Sequence, residues 1–217
     1  GFAPFISTYA ADGSHYQWDS SSENISYVDL STYFGEYEGS FVLYDLENDA
    51  WSIHNMEHAT LRVAPNSTYK IYDALFGLEE DIITPENSFI AWNGESYPFE
   101  AWNADQTLQS AMNSSVNWYF QTVDEQLGSS SVYNYIQEIG YGNENMNGDF
   151  STYWMESSLK ISPIEQVELL TKLHNNSFEF SPENINAVKD AILLSSSDAG
   201  TLYGKTGTGR VDGQDVN

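Results

Sequence analysis

Apolar and aromatic residues crowd into Ser40-Phe41-Val42-Leu43-Tyr44 and again into Ala50-Trp51-Ser52-Ile53-His54, with Glu47-Asn48-Asp49 between them. Two such runs joined by turn formers predict a β-hairpin. Leu61-Arg62-Val63 reads as a brief extended piece ending at Pro65. Near Ser67 the period changes: Ile71, Ala74, Leu75 and Leu78 recur three and four apart, which is one face of a helix. Leu108, Met112, Val116, Phe120 and Val123 carry the same spacing and predict a second, longer helix. Between them, residues 83 to 104 read as an aromatic loop containing Trp92, Tyr97, Phe99 and Trp102. Core packing is the expected use of those rings, with the border of a pocket as the alternative. Ser162-Pro163-Ile164-Glu165 supplies an N-cap hydroxyl, a proline at the first helical position and a capping-box glutamate. Ser181-Pro182-Glu183 does nearly the same before Val188, Ala191 and Leu194, and Thr201-Leu202-Tyr203 then reads as a strand.

Strands near both ends with helices between them favour an α+β fold whose terminal strands share one sheet flanked by helices, over alternating βαβ units. The length, 217 residues, suits one domain. The apolar opening Gly1-Phe2-Ala3-Pro4-Phe5-Ile6 reads either as the remnant of a leader or juxtamembrane segment or as a packed strand. The stretch from Asp12-Gly13-Ser14 to Ser20-Ser21-Ser22 reads as a polar linker. This divides the chain into a leader and linker over 1–25 and one domain over 26–217. No run of about 20 apolar residues occurs, so none of this sequence reads as a membrane-spanning helix.

Charge narrows the partners. Asp+Glu number 32 against 7 Lys+Arg, a net charge of −25, so phosphate backbones and anionic lipid surfaces are repelled and nucleic acid is excluded as a partner. There is no cysteine, which removes disulfides, thiolate metal sites and cysteine nucleophiles. His15, His54, His58 and His174 have no metal-ligand pattern, so no metal is expected.

Chemistry concentrates in three short motifs. Ser67-Thr68-Tyr69-Lys70 opens the first predicted helix, and a spacing of three puts the hydroxyl and the amine on one face. Serine needs a base to become a nucleophile, and lysine is that base only when burial or chemical masking disfavours its ammonium form. Taken alone, the motif is better read as a solvated lysine beside a serine N-cap. Ser115-Val116-Asn117 falls mid-helix in this reading, where polar residues on an outer face are the plain explanation. Lys205-Thr206-Gly207 sits at a strand, where an edge strand ending in a glycine turn is the plain explanation. A cationic lysine flanked by hydroxyls there would also suit an anionic substrate. Their joint occurrence in this order, on helix, helix and strand, matches the signature of serine β-lactamases and penicillin-binding proteins.

The chain resembles the class D (OXA-type) penicillin-recognising serine fold, and most closely the extracellular sensor domains of BlaR/MecR-type β-lactam receptors. The resemblance runs from about Ser26 to Asn217. It is carried by Gly39-Ser40-Phe41-Val42-Leu43-Tyr44, Asn66-Ser67-Thr68-Tyr69-Lys70-Ile71-Tyr72, Ser115-Val116-Asn117-Trp118-Tyr119, Tyr141-Gly142-Asn143, Tyr153-Trp154-Met155-Glu156-Ser157-Ser158-Leu159-Lys160-Ile161-Ser162-Pro163 and Lys205-Thr206-Gly207-Thr208. It implies an antiparallel sheet flanked by helices with a helical subdomain, and Ser67 as the nucleophile that β-lactams acylate. Lys70 is then the base, in this family often carboxylated by carbon dioxide, with Trp154 donating to the carbamate; no other cofactor is implied. Ser115 relays protons, Lys205, Thr206 and Gly207 bind the drug's carboxylate, and the backbone N–H groups of Ser67 and Thr208 form the oxyanion hole. Asn117, lining the same substrate region, stands where typical class D enzymes hold an apolar residue and would unsettle a carbamate.

Two functions follow from the resemblance. One is a sensor on the extracellular face of a bacterial plasma membrane, acylated with slow deacylation and coupled to a membrane part that includes a zinc protease. The other is a secreted class D β-lactamase, and Asn117 favours the first. Family members carry a strand and a C-terminal helix after Lys-Thr-Gly that this sequence does not include, so the expectation is a fragment. A surface charged to −25 also repels itself, and salt screens that repulsion. The melting temperature is expected to rise as sodium chloride is added from about 10 mM to about 1 M, where the Debye length falls from ~30 Å to ~3 Å; differential scanning calorimetry checks this.

Overall fold

The computed structural model describes residues 14–217. The apolar opening Gly1 to Ile6 and the first residues of the sequence-predicted linker, Asp12 and Gly13, lie outside them. In chain order the elements are β1 (Ile25–Tyr27), the one-turn α1 (Ser31–Phe34), β2 (Phe41–Asp45), β3 (Ala50–His54), α2 (Met56–Thr60), a 3-10 turn (Asn66–Tyr69) and α3 (Lys70–Glu79). After a short 3-10 turn (Glu100–Trp102) come α4 (Leu108–Asn113), α5 (Asn117–Leu127), α6 (Ser129–Ile139), α7 (Pro163–His174) and α8 (Pro182–Ala191). Strands β4 (Leu193–Ser197), β5 (Gly200–Tyr203), β6 (Gly209–Val211) and β7 (Gln214–Val216) close the described chain.

The predicted hairpin forms with Phe41 opposite His54 and Asp45 opposite Ala50. Asp45 closes its turn by accepting from the backbone N–H groups of Glu47 and Asn48. β1 joins β3 in parallel, so the three-stranded sheet, in the order β1-β3-β2, is mixed rather than wholly antiparallel as expected. Along β3, Trp51 and Ile53 are buried and their neighbours are not, the alternation of a sheet with one covered face. That face packs on Ala59 and Ile164. Residues 14–24, which read as linker, lie against this unit. Tyr16 donates to Glu168 of α7 at 3.0 Å, Trp18 stacks edge-on against Trp51, and Glu23 accepts from the Trp51 indole. Aromatic anchors spaced among serines hold the segment down where composition suggested solvation.

The main core surrounds α3, and its residues from Lys70 to Leu78 are all buried. A helix covered all round is a central element rather than a surface one. It packs chiefly against α5 and α8. α6 adds Val132, Ile136 and Ile139, a pattern the sequence reading did not assign to a helix.

Three expectations change. The single helix from Leu108 to Val123 is two, because Ser115 takes a left-handed φ of 52° that no continuing helix allows. Leu194 belongs to β4, since α8 stops at Ala191 and Gly204 N–H then bonds the Ile192 carbonyl. The strands near the end pair as β4–β5 and β6–β7 hairpins, separate from the β1-β3-β2 sheet. Local antiparallel neighbours meet most readily, and β5 is held to β4 by a two-residue connection.

Both capped helices start where expected. Ser162 and Glu165 form the reciprocal capping box, while Ser181 makes no side-chain cap. Glu165 also takes both arms of Arg62 at 3.1 and 2.6 Å, tying the chain before α3 to α7. The loop from 141 to 161 is pinned by Asn143, whose side chain accepts from Lys160 N–H and donates to the Ser158 carbonyl. Gly142 passes this point with φ +54°, and a Cβ there would overlap the Lys160 carbonyl oxygen. Gly142→Ala is expected to cost more than about 2 kcal/mol, from left-handed strain plus the clash; urea denaturation of the variant checks it.

Candidate active site

Ser67 sits in the 3-10 turn that leads into α3. The residue before it, Asn66, has φ 48°, a strained conformation that asparagine tolerates better than most residues. Three bonds lock it: its N–H to the Trp154 carbonyl (2.9 Å), its amide to Glu156 Oε1 (2.7 Å), and its Oδ1 accepting from Glu156 N–H (3.2 Å). Thr68 is held in turn by the Pro65 carbonyl and by Gln166. The hydroxyl of Ser67 is therefore aimed by a left-handed bend clamped to the loop containing Trp154.

Lys70, one helical turn on, is fully buried. Its Nζ donates to Ser67 Oγ at 2.7 Å and to Asn117 Oδ1 at 2.6 Å, and lies 4.5 Å from the centre of the Trp154 ring. Burial drives its pKa well below the usual lysine value. The nearby Lys205 charge pushes the same way, and a negative charge on the buried carboxyl at Asp73 would oppose both. This is the condition under which a lysine amine serves as a base.

The break between α4 and α5 brings Ser115 into the same place. Lys205 Nζ donates to Ser115 Oγ at 3.0 Å and to the Thr206 carbonyl at 2.9 Å, and its own pKa is lowered by burial. Gly207 runs against the nucleophile turn so closely that a Cβ would crowd the Pro65 carbonyl and Thr68. Any side chain there would push residues 205–208, an irregular link between β5 and β6 rather than the predicted strand, away from Ser67. Ser67, Ser115, Asn117, Thr206 and Thr208 line one cavity of about 520 Å³, whose rim adds Phe99, Ala101, Trp102 and Ser114.

The structure thus gathers Ser67, Lys70, Ser115, Asn117, Lys205, Thr206, Gly207 and Thr208, which lie far apart in sequence. Trp154 lies behind Lys70, fully buried, and its indole N–H lacks a partner at full hydrogen-bond geometry. The indole also acts on the Asp124 carboxyl, so it is not reserved for a carboxylated lysine. Asn117 does not suit a carboxylated lysine either, because its carboxamide oxygen already occupies the amine.

Of the aromatic loop, Phe99 and Trp102 border the cavity while Trp92 and Tyr97 pack on the core. Sequence reasoning missed Asn66 and Glu156, although Asn before an S-x-x-K is a residue that tolerates positive φ. It also missed Asp73 and Asp124, both buried and both indistinguishable in sequence from surface acids. Among the described residues there is no cluster of three or more side chains able to hold a metal.

Comparison with known proteins adds lineage. Residues 39–217 match the family model of the penicillin-binding-protein transpeptidase domain. The chain is 45% identical over 196 residues to the regulatory protein BlaR1 of Bacillus licheniformis, covering 88% of this chain and 32% of that one. It therefore spans about a third of the length of that curated relative. Among solved structures it is similar to the C-terminal domain of the Bacillus licheniformis BlaR penicillin-receptor, with a TM-score of 0.86 at 44% identity, covering 88% of this chain and 78% of that one. A class D β-lactamase from Bacillus subtilis gives a TM-score of 0.81 at 36% identity over 83% of this chain and 76% of its own.

Because Lys205 is a like charge acting on Lys70, Lys205→Ala is expected to raise the pKa of Lys70. NMR titration of the lysine 13Cε signals measures this, with Lys70 assigned by substitution.

Proposed function

Since the chain belongs to the penicillin-binding-protein transpeptidase family and is homologous to BlaR1 and MecR1 β-lactam sensor domains, we propose that it is a β-lactam sensor acylated at Ser67 and slow to release the drug. The observation that carries the reading is the Lys70 amine, buried and shared between Ser67 and Asn117.

Acylation uses residues already in contact. The neutral Lys70 amine takes the Ser67 proton as Oγ forms a bond to the lactam carbonyl carbon. The Ser67 and Thr208 backbone N–H groups hold the oxyanion that develops there. The lactam C–N bond then breaks, and the proton passes from Lys70 by way of Ser115 to the leaving nitrogen. Lys205 and Thr206 anchor the drug's carboxylate, a role for a retained cation in a chain of charge −25.

Release of the acyl group needs a base to activate water. A carboxylated Lys70 would supply a base that stays anionic at neutral pH. Asn117 takes the amine's hydrogen bond instead and leaves water without an activator, which favours a lasting acyl-protein over turnover. Such a domain sits on the extracellular face of the bacterial plasma membrane and reports through a membrane part bearing a zinc protease. A secreted class D β-lactamase is the second reading, supported by the likeness to the Bacillus subtilis enzyme.

Benzylpenicillin mixed with the protein is expected to add one drug mass, mapped by peptide analysis to Ser67, with nitrocefin colour stopping after about one equivalent. Full labelling of Ser67→Ala would overturn the assignment, and continuous nitrocefin hydrolysis would make the protein a β-lactamase. Asn117→Val is expected to shorten the adduct lifetime at least tenfold, a modest part of the ~10²–10⁴ that a positioned base contributes. An unchanged lifetime would remove Asn117 from that role.

A further inference from the structure

Where α3 packs on α5, two carboxyl groups meet inside the core, and neither lines the cavity. Asp73 comes from α3 and Asp124 from α5, and both are essentially inaccessible to solvent. α3 packs on α5, and the two acids act directly on each other's ionisation; two carboxylate anions cannot share a buried space without a proton between them. Neither Asp73 oxygen receives a hydrogen bond from a donor. Asp124 is well supplied: Tyr153 Oη donates to its two oxygens at 3.1 and 3.0 Å, and Tyr69 Oη lies 2.7 Å behind Tyr153. Both tyrosine hydroxyls are themselves buried, so this chain does not end in solvent.

The partners assign the proton. An acid with no donors aimed at it keeps its hydrogen, and one that receives several donors ionises. We propose that Asp73 and Asp124 form a dyad sharing one proton, held mainly by Asp73, and that its single negative charge sets the basicity of Lys70. Burial pushes Asp73 well above the carboxylate range and Asp124 up to about 6, with Asp73 itself, then Tyr153 and the Trp154 indole, holding Asp124 down. Lys70 spends its hydrogen bonds on Ser67 and Asn117, so the dyad acts on it through space. The groups facing the pair are Lys70, Tyr69, Tyr119, Tyr153 and Trp154, and Lys205 opposes it at Lys70. Both acids are positioning residues: neither touches the cavity, and they govern when the amine is free to take the serine proton.

The proposal rests on the Ser67 acylation reading only where it predicts a rate. Asp73→Asn replaces a protonated acid with an amide that still donates to Asp124. It is expected to leave the Lys70 titration near its wild-type position. Carboxyls whose folded pKa is raised contribute stability that is complete below about pH 4 and lost as pH rises through the folded value. The melting temperature of Asp73→Asn relative to wild type is therefore expected to climb from pH 5 to pH 8. A relative fall over that range would show Asp73 to be an ionised partner of Lys70 and overturn the proposal.

Asp73→Asn/Asp124→Asn removes the charge. The Lys70 13Cε titration is expected to move to lower pH, and benzylpenicillin acylation at pH 6 to rise several-fold relative to its plateau. An unmoved Lys70 titration in the folded double variant would also overturn the proposal. Loss of labelling in wild type would instead count against the acylation reading, and both the NMR and thermal outcomes would still decide the dyad.

Discussion

Removing the Lys70 amine from water is the constraint on which the site depends. α3 is covered on every side, so a lysine in its first turn has nowhere to send its charge. Water would stabilise the ammonium by solvating it, and the core cannot. The protein supplies a serine hydroxyl and a carboxamide oxygen in place of bulk solvent, and a neighbouring lysine that makes a second positive charge costly. The result is an amine able to accept a proton at a pH where an exposed lysine could not. A helix that is central for packing is thereby also the place where a base can be made.

Aiming the nucleophile is a separate problem, solved from a different part of the chain. Asn66 holds a left-handed bend that costs free energy, and Glu156 with the Trp154 carbonyl holds it in place. The same loop puts the Trp154 ring against the amine and is itself folded by Asn143 and the left-handed Gly142. Its far end runs into α7, whose capping glutamate takes Arg62 from the segment just before Ser67. Nucleophile, base and the shell behind them are thus held by hydrogen bonds and ring packing gathered around one loop.

The few cations of this acidic chain are placed with economy. Arg62 neutralises Glu165 where both are largely shielded from solvent, and Lys205 reaches Ser115 across the mouth of the site. In a protein of net charge −25, an unpaired lysine at a cavity is the strongest local attraction for an anionic ligand.

Much of this was legible in one dimension. The hairpin, α3, α7 and its capping box follow from local chemistry: alternation, three-and-four spacing, a serine–proline–glutamate start. The S-x-x-K, S-x-N and K-T-G motifs were readable because each is contiguous. What the residue string could not show is what depends on distant segments meeting. Ser115 looked helical because its neighbours have helical spacing, and only the packing of α4 and α5 turns it into the cavity with a positive φ. β4 and β5 found each other because hairpin partners are near in the chain. Asp73 and Asp124 look like any two acids among 32, and they become a buried pair only when α3 and α5 close over them. Sequence determined which chemical groups exist and the local backbone that carries them. Tertiary structure decided which of those groups lose their water, and an ionisable group's behaviour is set by that loss.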